Sequence, residues 1–227
     1  MISMLCPTRG RPQQALNLYK SFKSLQANEN ELIFCIQNDD PSFKDYENIF
    51  KKNGINKYFI SEGMPTSYLW NQMAFNSSGD LLTLIGDDVE ILTNNWDKRI
   101  EEEAKKITDK IFVITVDDGR TDKKHGEFMR CPHPTINRKW MELLGYFVPP
   151  FFMHRYLDRY TQELAISMGR FIEIKDVIFN HLKFNYSADN TGKRSRNWIN
   201  YDKYIYENVS KKYFEKDLEI LRSNLKF

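Results

Sequence analysis

Cysteine is scarce in this chain: Cys6, Cys35 and Cys131 are the only three. They are too few and too scattered for a disulfide framework, and none forms the C-x-x-C spacing of a structural zinc site. A reducing cytoplasm is the expected setting. Long hydrophobic runs are missing as well. No segment approaches the ~18 apolar residues a membrane span requires, and the chain enters an apolar stretch at Ile2 with no basic region before it. Neither a signal peptide nor a transmembrane anchor is expected. Charge of one sign is also absent, since 33 basic and 31 acidic side chains leave +2. No long-range field therefore demands nucleic acid or an acidic membrane as partner. Internal repeats and low-complexity tracts are lacking too.

What is present is the composition of a packed domain, with 41% hydrophobic and 28% charged residues among 227. In the first half, short apolar runs of strand length alternate with amphipathic segments of helix length, the pattern of a doubly wound α/β sheet. Strands are predicted at 2–6, 32–37, 57–60, 81–85 and 111–116. Helices are predicted from Pro12, over 42–52, from Thr66 to about Ser77 with Gly79 as its stop, and from Trp96 to Ile107. The stretch 117–130 reads as a surface loop. Beyond it, helices are predicted at 138–144 and 155–168, a strand at 172–181 and a docked helix at 201–225.

An open α/β sheet gathers its ligand site at the carboxyl ends of its strands, and Asp87-Asp88 falls at such an end. Two adjacent carboxylates repel unless solvent, a proton or a cation intervenes. Hard carboxylate oxygens suit Mg²⁺ or Mn²⁺, ions that commonly bridge a protein carboxylate to substrate phosphates. An exposed turn would produce the same dipeptide.

The wider segment is more specific. Asn71, Gly79 eight positions on, the apolar run 81–85 and then Gly86-Asp87-Asp88 resemble family-two-type glycosyltransferases of the GT-A fold, which carry an asparagine, a glycine, a strand and an Asp-x-Asp whose last aspartate binds the metal. The resemblance covers roughly residues 1–181 and implies a mixed, mostly parallel sheet flanked by helices, with 182–227 as a basic loop and a C-terminal helix packed on the same domain. It implies a nucleoside diphosphate sugar as donor and Mn²⁺ or Mg²⁺ as cofactor. Asp88 would be the metal ligand. Gly86 stands in place of the first aspartate, which shifts a supporting role, at metal and donor, onto Asp87. The opening Cys6-Pro7-Thr8-Arg9-Gly10-Arg11-Pro12 looks like the family's first strand and turn, making Thr8 and Arg9 donor contacts. Asp39 matches the carboxylate placed against the base, although an Asx turn before Pro41 accounts for it equally. Asn71 is carried over as a donor-side residue. Trp70 stands where relatives carry arginine, so packing is its expected role.

In the second half, Gly145-Tyr146-Phe147 and then His154-Arg155-Tyr156-Leu157-Asp158 resemble the family's acceptor side. There a carboxylate at a helix start takes the acceptor hydroxyl proton, so Asp158 is the implied base of an inverting transfer; a first-turn aspartate favouring the helix dipole is the alternative. His181 matches a C-terminal histidine that completes the metal site, whereas His133 and His154 have no motif partner. Lys193, Arg194 and Arg196 form a basic stretch able to cover a diphosphate, or simply a solvated loop. The acceptor, whether glycan, lipid, protein or modified nucleobase, is not encoded in these motifs. Two rivals remain. A nucleotidyltransferase would need a longer glycine-rich basic loop than Arg9-Gly10-Arg11, and a noncatalytic nucleotide-sugar or glycan-binding module is favoured by Gly86.

Overall fold

Strands β1 (Ile2–Thr8) and β2 (Glu31–Gln37) are almost unbroken runs of buried residues because both of their faces are covered. The computed structural model describes residues 1–119, 131–182 and 196–226. Alternate side chains enter different cores. Ile2, Met4, Cys6, Leu32, Phe34 and Ile36 meet Leu18 and Phe22 of α1 (Pro12–Leu25), Tyr46 and Phe50 of α2 (Phe43–Lys52), and Trp96 and Ile100 of α4 (Trp96–Lys105). Leu5, Ile33 and Cys35 join the other layer. Its partners are Trp70 and Met73 of α3 (Thr66–Phe75), Trp140 of α5 (Arg138–Leu144), and Tyr160 and Leu164 of α6 (Leu157–Ser167).

The remaining strands are β3 (Tyr58–Ser61), β4 (Leu81–Leu84), β5 (Val89–Ile91), β6 (Val113–Asp117), β7 (Thr135–Asn137) and β8 (Phe171–His181). Their order is β3-β2-β1-β4-β7-β6-β8-β5. Four strands run parallel from β3 to β4, β7 is antiparallel to both neighbours, β8 is parallel to β6, and β5 is antiparallel to β8. The expected mixed, mostly parallel sheet flanked by helices is therefore observed. The chain winds outward from β1 to β3 and then returns to the other side of β1 with β4. That reversal opens a crevice at the carboxyl ends of β1 and β4.

Two differences concern the ends of the sequence pattern. β5 and β7 were not among the expected strands, each having only three residues. The single helix expected at 201–225 is divided into α7 (Ile199–Tyr204), a π-helical turn (Ile205–Val209) and α8 (Ser210–Arg222). The wide turn shifts the helical phase, and Ile205, Leu218 and Leu221 are all buried. Most of the loop expected at 117–130 lies outside the described residues. No described helix is long and apolar enough to cross a membrane.

Gly79 joins α3 to β4 where the backbone passes tightly over β1. Its N–H donates to Ser3 Oγ at 2.8 Å, and a Cβ there would lie 2.4 Å from Ser3 Oγ and 2.7 Å from the Ser3 nitrogen. The β1 backbone cannot retreat without breaking its ladder. Gly79→Ala should therefore destabilise the protein by about 1–3 kcal/mol in urea denaturation; an unchanged midpoint would contradict the tight crossing.

Candidate active site at the carboxyl ends of the central strands

Thr8 ends β1, and Asp87 and Asp88 follow β4, so the reversal of strand order brings them together. Hydrogen bonds run in one direction through them. The Arg11 N–H donates to Tyr46 Oη at 2.9 Å, Tyr46 and Thr8 Oγ1 are 2.7 Å apart, and the Thr8 hydroxyl donates to Asp87 Oδ2 at 2.6 Å. With the Thr8 proton committed to Asp87, Tyr46 is the donor to Thr8. Burial pushes the Tyr46 hydroxyl above its ordinary pKa, Asp87 adding to the effect, so it keeps this proton. Arg11 Nη1 closes the circuit on Asp87 Oδ1 at 3.0 Å and lies 3.9 Å from Asp88 Oδ2.

The two carboxylates consequently differ. Both Asp87 oxygens are engaged by Arg11 and Thr8, and its side chain is only 6% exposed. Burial raises the Asp87 carboxyl to about 6, with Arg11 opposing and Asp88 reinforcing the shift. Asp88 instead faces His181, whose Nε2 lies 3.2 Å from its Oδ2. That pairing comes from the sheet: β5 starts one residue after Asp88, Val89 is paired with His181, and the Leu182 N–H donates to the Asp88 carbonyl at 2.8 Å. Gly86 has a steric reason to be glycine in this arrangement. A Cβ on it would stand 2.5 Å from Asp88 Oδ1, so any side chain at 86 would displace the carboxylate from its present position.

Asp158 lies in the first turn of α6. Burial raises its carboxyl pKa, while backbone N–H groups of the helix start and the charges of Arg159 and His181 hold it down. His154, just ahead of α6, is held below the usual imidazole range by burial and by Arg155, with Asp202 and Asp88 opposing. Its Nδ1 is 3.0 Å from Thr66 Oγ1. His133 is buried against the same face, its ring centroid 5.2 Å from that of His181.

Other expected donor residues occupy different stations. Arg9 stands on the rim, its Nη1 2.6 Å from Asp39 Oδ1 and 2.9 Å from Gln37 Oε1. Asp39 is half exposed there, whereas its neighbour Asp40 turns inward to accept from the Gly10 and Ser42 N–H groups. The Thr8 hydroxyl, expected to touch the donor, links Tyr46 to Asp87. Asn71 is spent as well: its amide nitrogen donates to the Ser67 and Val148 carbonyls and its oxygen accepts from the Phe147 and Val148 N–H groups. With two donors and two acceptor sites filled, no polar atom remains for a donor sugar. Asn71 ties α3 to the 147–148 turn ahead of α6. Trp70 packs as expected, its indole N–H donating to the Leu5 carbonyl at 2.9 Å. Arg196 is exposed just ahead of α7; Lys193 and Arg194 lie outside the described residues.

Arg11 and Tyr46 are the site residues that the sequence reading missed. Arg11 sits in the quoted turn, but its carboxylate partner is 76 residues away. Tyr46 carries only the signal of an apolar helix position. Among the described residues, no group of three or more His, Cys, Asp or Glu side chains is set to hold a metal ion. The expectation that Asp87 shares a metal with Asp88 and His181 thus meets a carboxylate already neutralised by Arg11. Asp88 and His181 remain as a facing oxygen and nitrogen pair.

No family model and no curated protein matches the chain. Solved structures do. Mannosyltransferase PcManGT from Pyrobaculum calidifontis, in complex with GDP-Man and Mn²⁺, superposes with a TM-score of 0.66 at 11% identity over 98% of this chain and 73% of its own. S. aureus TarS gives 0.62 at 9% identity over 98% of this chain, which spans 43% of the TarS chain. Glucosyl-3-phosphoglycerate synthase from Mycobacterium tuberculosis, with Mg²⁺ and UDP, gives 0.61 at 12% identity over 82% of this chain and 73% of its own.

The shifted Asp87 carboxyl makes a pH prediction. Its folded pKa, about 6, exceeds the ordinary 3.8, so the native state holds a proton that the unfolded state releases first. The stability this contributes is fully present below about pH 4 and is lost as pH rises through 6. Wild type should lose about 2 kcal/mol relative to Asp87→Asn between pH 4 and 7 in denaturant titrations; parallel pH profiles would show that Asp87 ionises normally. At these identities the likeness is one of architecture: the chain has the GT-A-type fold of these structures.

Proposed function

We propose that this chain is a metal-dependent, inverting glycosyltransferase that moves a sugar from a nucleoside diphosphate donor to an acceptor hydroxyl. The observation that carries the reading is the convergence of Asp88 and His181 at 3.2 Å beside the β1–β4 crevice, with Asp158 on the adjoining helix. The donor set fits a divalent ion, Mn²⁺ better than the strictly oxygen-seeking Mg²⁺, because an imidazole nitrogen faces the carboxylate oxygen and Gly86 leaves the carboxylate its space. Such an ion supplies charge neutralisation for a departing diphosphate. Asp88 and His181 would hold it, with phosphate oxygens and water filling the rest of its shell.

Asp87 keeps a different role in this reading. Tied to Arg11 and Thr8, it fixes the turn that presents Asp88. Arg9 and Asp39 form the rim where the nucleoside would lie, and Lys193, Arg194 and Arg196 would screen the diphosphate from solution. Asp158 takes the proton of the incoming hydroxyl. Its raised pKa suits a base better than that of an ordinary exposed carboxylate, since proton transfer is most efficient from a group poised nearer neutrality. The neighbouring His154, kept neutral by burial, adds a polar but uncharged wall. The three cysteines are buried free thiols, in keeping with a reducing cytoplasmic setting.

Arg11 favours a second reading: a guanidinium already offsets Asp87 and lies 3.9 Å from Asp88, as a noncatalytic nucleotide-sugar-binding module would permit. Turnover decides between them, using UDP-GlcNAc and GDP-Man, the donors carried by TarS and PcManGT structures, with Mn²⁺ and water or added acceptors. Asp158→Asn should bind the donor that wild type binds, by calorimetry, yet lose about 100-fold or more in turnover. Asp88→Asn should abolish the Mn²⁺-dependent turnover. Full activity in either variant removes that residue from the mechanism, and donor binding without turnover in wild type supports the binding module.

A further inference from the structure

We propose that Asp202 is the positioning residue that sets the acceptor half of the site, acting through the backbone that leads into Asp158. This inference rests on the assignment of Asp158 as base. Asp202 lies on α7, outside the segment in which the site motifs occur, and is fully buried. Its Oδ1 accepts the Met153 N–H at 2.7 Å, and its Oδ2 accepts the His154 and Arg155 N–H groups at 3.0 and 2.8 Å. Three consecutive amides thus point at one carboxylate. They satisfy a buried charge that would otherwise be expensive to keep, and they fix the conformation of the residues immediately before α6.

The same segment is gripped from its other side. The Met153 carbonyl accepts the Ser67 N–H at 3.3 Å, and His154 meets Thr66, so α3 and α7 hold opposite edges of one short stretch. Tyr156 then adopts a left-handed conformation, φ 66°, before Leu157 begins the helix. A non-glycine residue stays in that region only where its surroundings over-determine it. Here its ring stacks on Tyr206 of the π-helical turn, with centroids 4.6 Å apart and planes 14° apart. The C-terminal segment therefore clamps 153–156 twice, through Asp202 and through Tyr206, and the clamp ends two residues before Asp158. A small displacement there moves the base relative to the acceptor and leaves the Asp88 side of the crevice in place.

Asp202→Asn tests this with two independent readouts. Amide hydrogen exchange at 153–158 should rise while β4 and the Asp88 turn stay protected. Turnover of whichever of UDP-GlcNAc and GDP-Man wild type uses should fall about 100-fold in kcat, with the KM for that donor unchanged. Asp202→Glu, which retains the carboxylate, should recover part of the loss. Ile205→Ala weakens docking of the same segment but keeps Asp202; it should leave kcat within about twofold of wild type at temperatures where it is folded. An unchanged exchange pattern in Asp202→Asn, or an equal kcat loss in Ile205→Ala, would overturn the positioning role. Full turnover in Asp158→Asn would instead overturn the base assignment, and is distinguishable because increased exchange at 153–158 in Asp202→Asn does not depend on it.

Discussion

The buried ion pair between Arg11 and Asp87 is the interaction on which the rest of the site depends. Two adjacent buried carboxylates at the end of an apolar strand repel each other, and the chain resolves the conflict by treating its two members differently. Asp87 is given a guanidinium and a hydroxyl and becomes part of the scaffold. Asp88 is left with an imidazole, a partner that can share it with a cation. The directed hydrogen bonds from Arg11 through Tyr46 and Thr8 tie this arrangement to α2, to the end of β1 and to the start of α1, so the turn after β4 is held from three elements at once.

The sheet completes what the ion pair begins. β5 contains three residues, yet its antiparallel pairing with β8 fixes Val89 opposite His181. A strand that short contributes little stability by itself; its consequence is the placement of a histidine 93 residues away against Asp88. Gly86 fits the same scheme, because the missing side chain is the space into which the Asp88 carboxylate folds. With glycine at 86 the Asp88 carboxylate has its room, while the charge of Asp87 is met by Arg11.

How much of this was legible in the sequence follows from which forces act locally. β1, β2 and β4 were readable because strands buried on both faces must be apolar throughout, and α1 to α4 because each buries one stripe. β5 and β7 were not, since three residues carry no period. The break in the C-terminal helix escaped notice because a π-helical turn leaves composition unchanged and alters only phase. Among site residues, Asp88, His181 and Asp158 were named from the resemblance of their motifs, in order, to those of a known family. Arg11 was passed over because its meaning lies in a partner distant in sequence. Asn71 was read toward the donor, whereas its four hydrogen bonds go to neighbouring backbone. Motif spacing located the crevice but could not say which polar groups face it and which support it.

The central claim is that the Asp88 side of the crevice binds a nucleoside diphosphate sugar together with a divalent ion. The most direct measurement is the thermal unfolding of the wild-type protein with UDP-GlcNAc or GDP-Man, in Mn²⁺ and again in excess chelator. A ligand that binds only the native state at about 100 times its Kd adds about 2.7 kcal/mol, roughly a 5–10 °C rise in Tm for a domain of this size. The account predicts such a rise for one of these donors in Mn²⁺ and its loss on chelation. The same Tm with and without donor, or an equal rise in chelator, would contradict it.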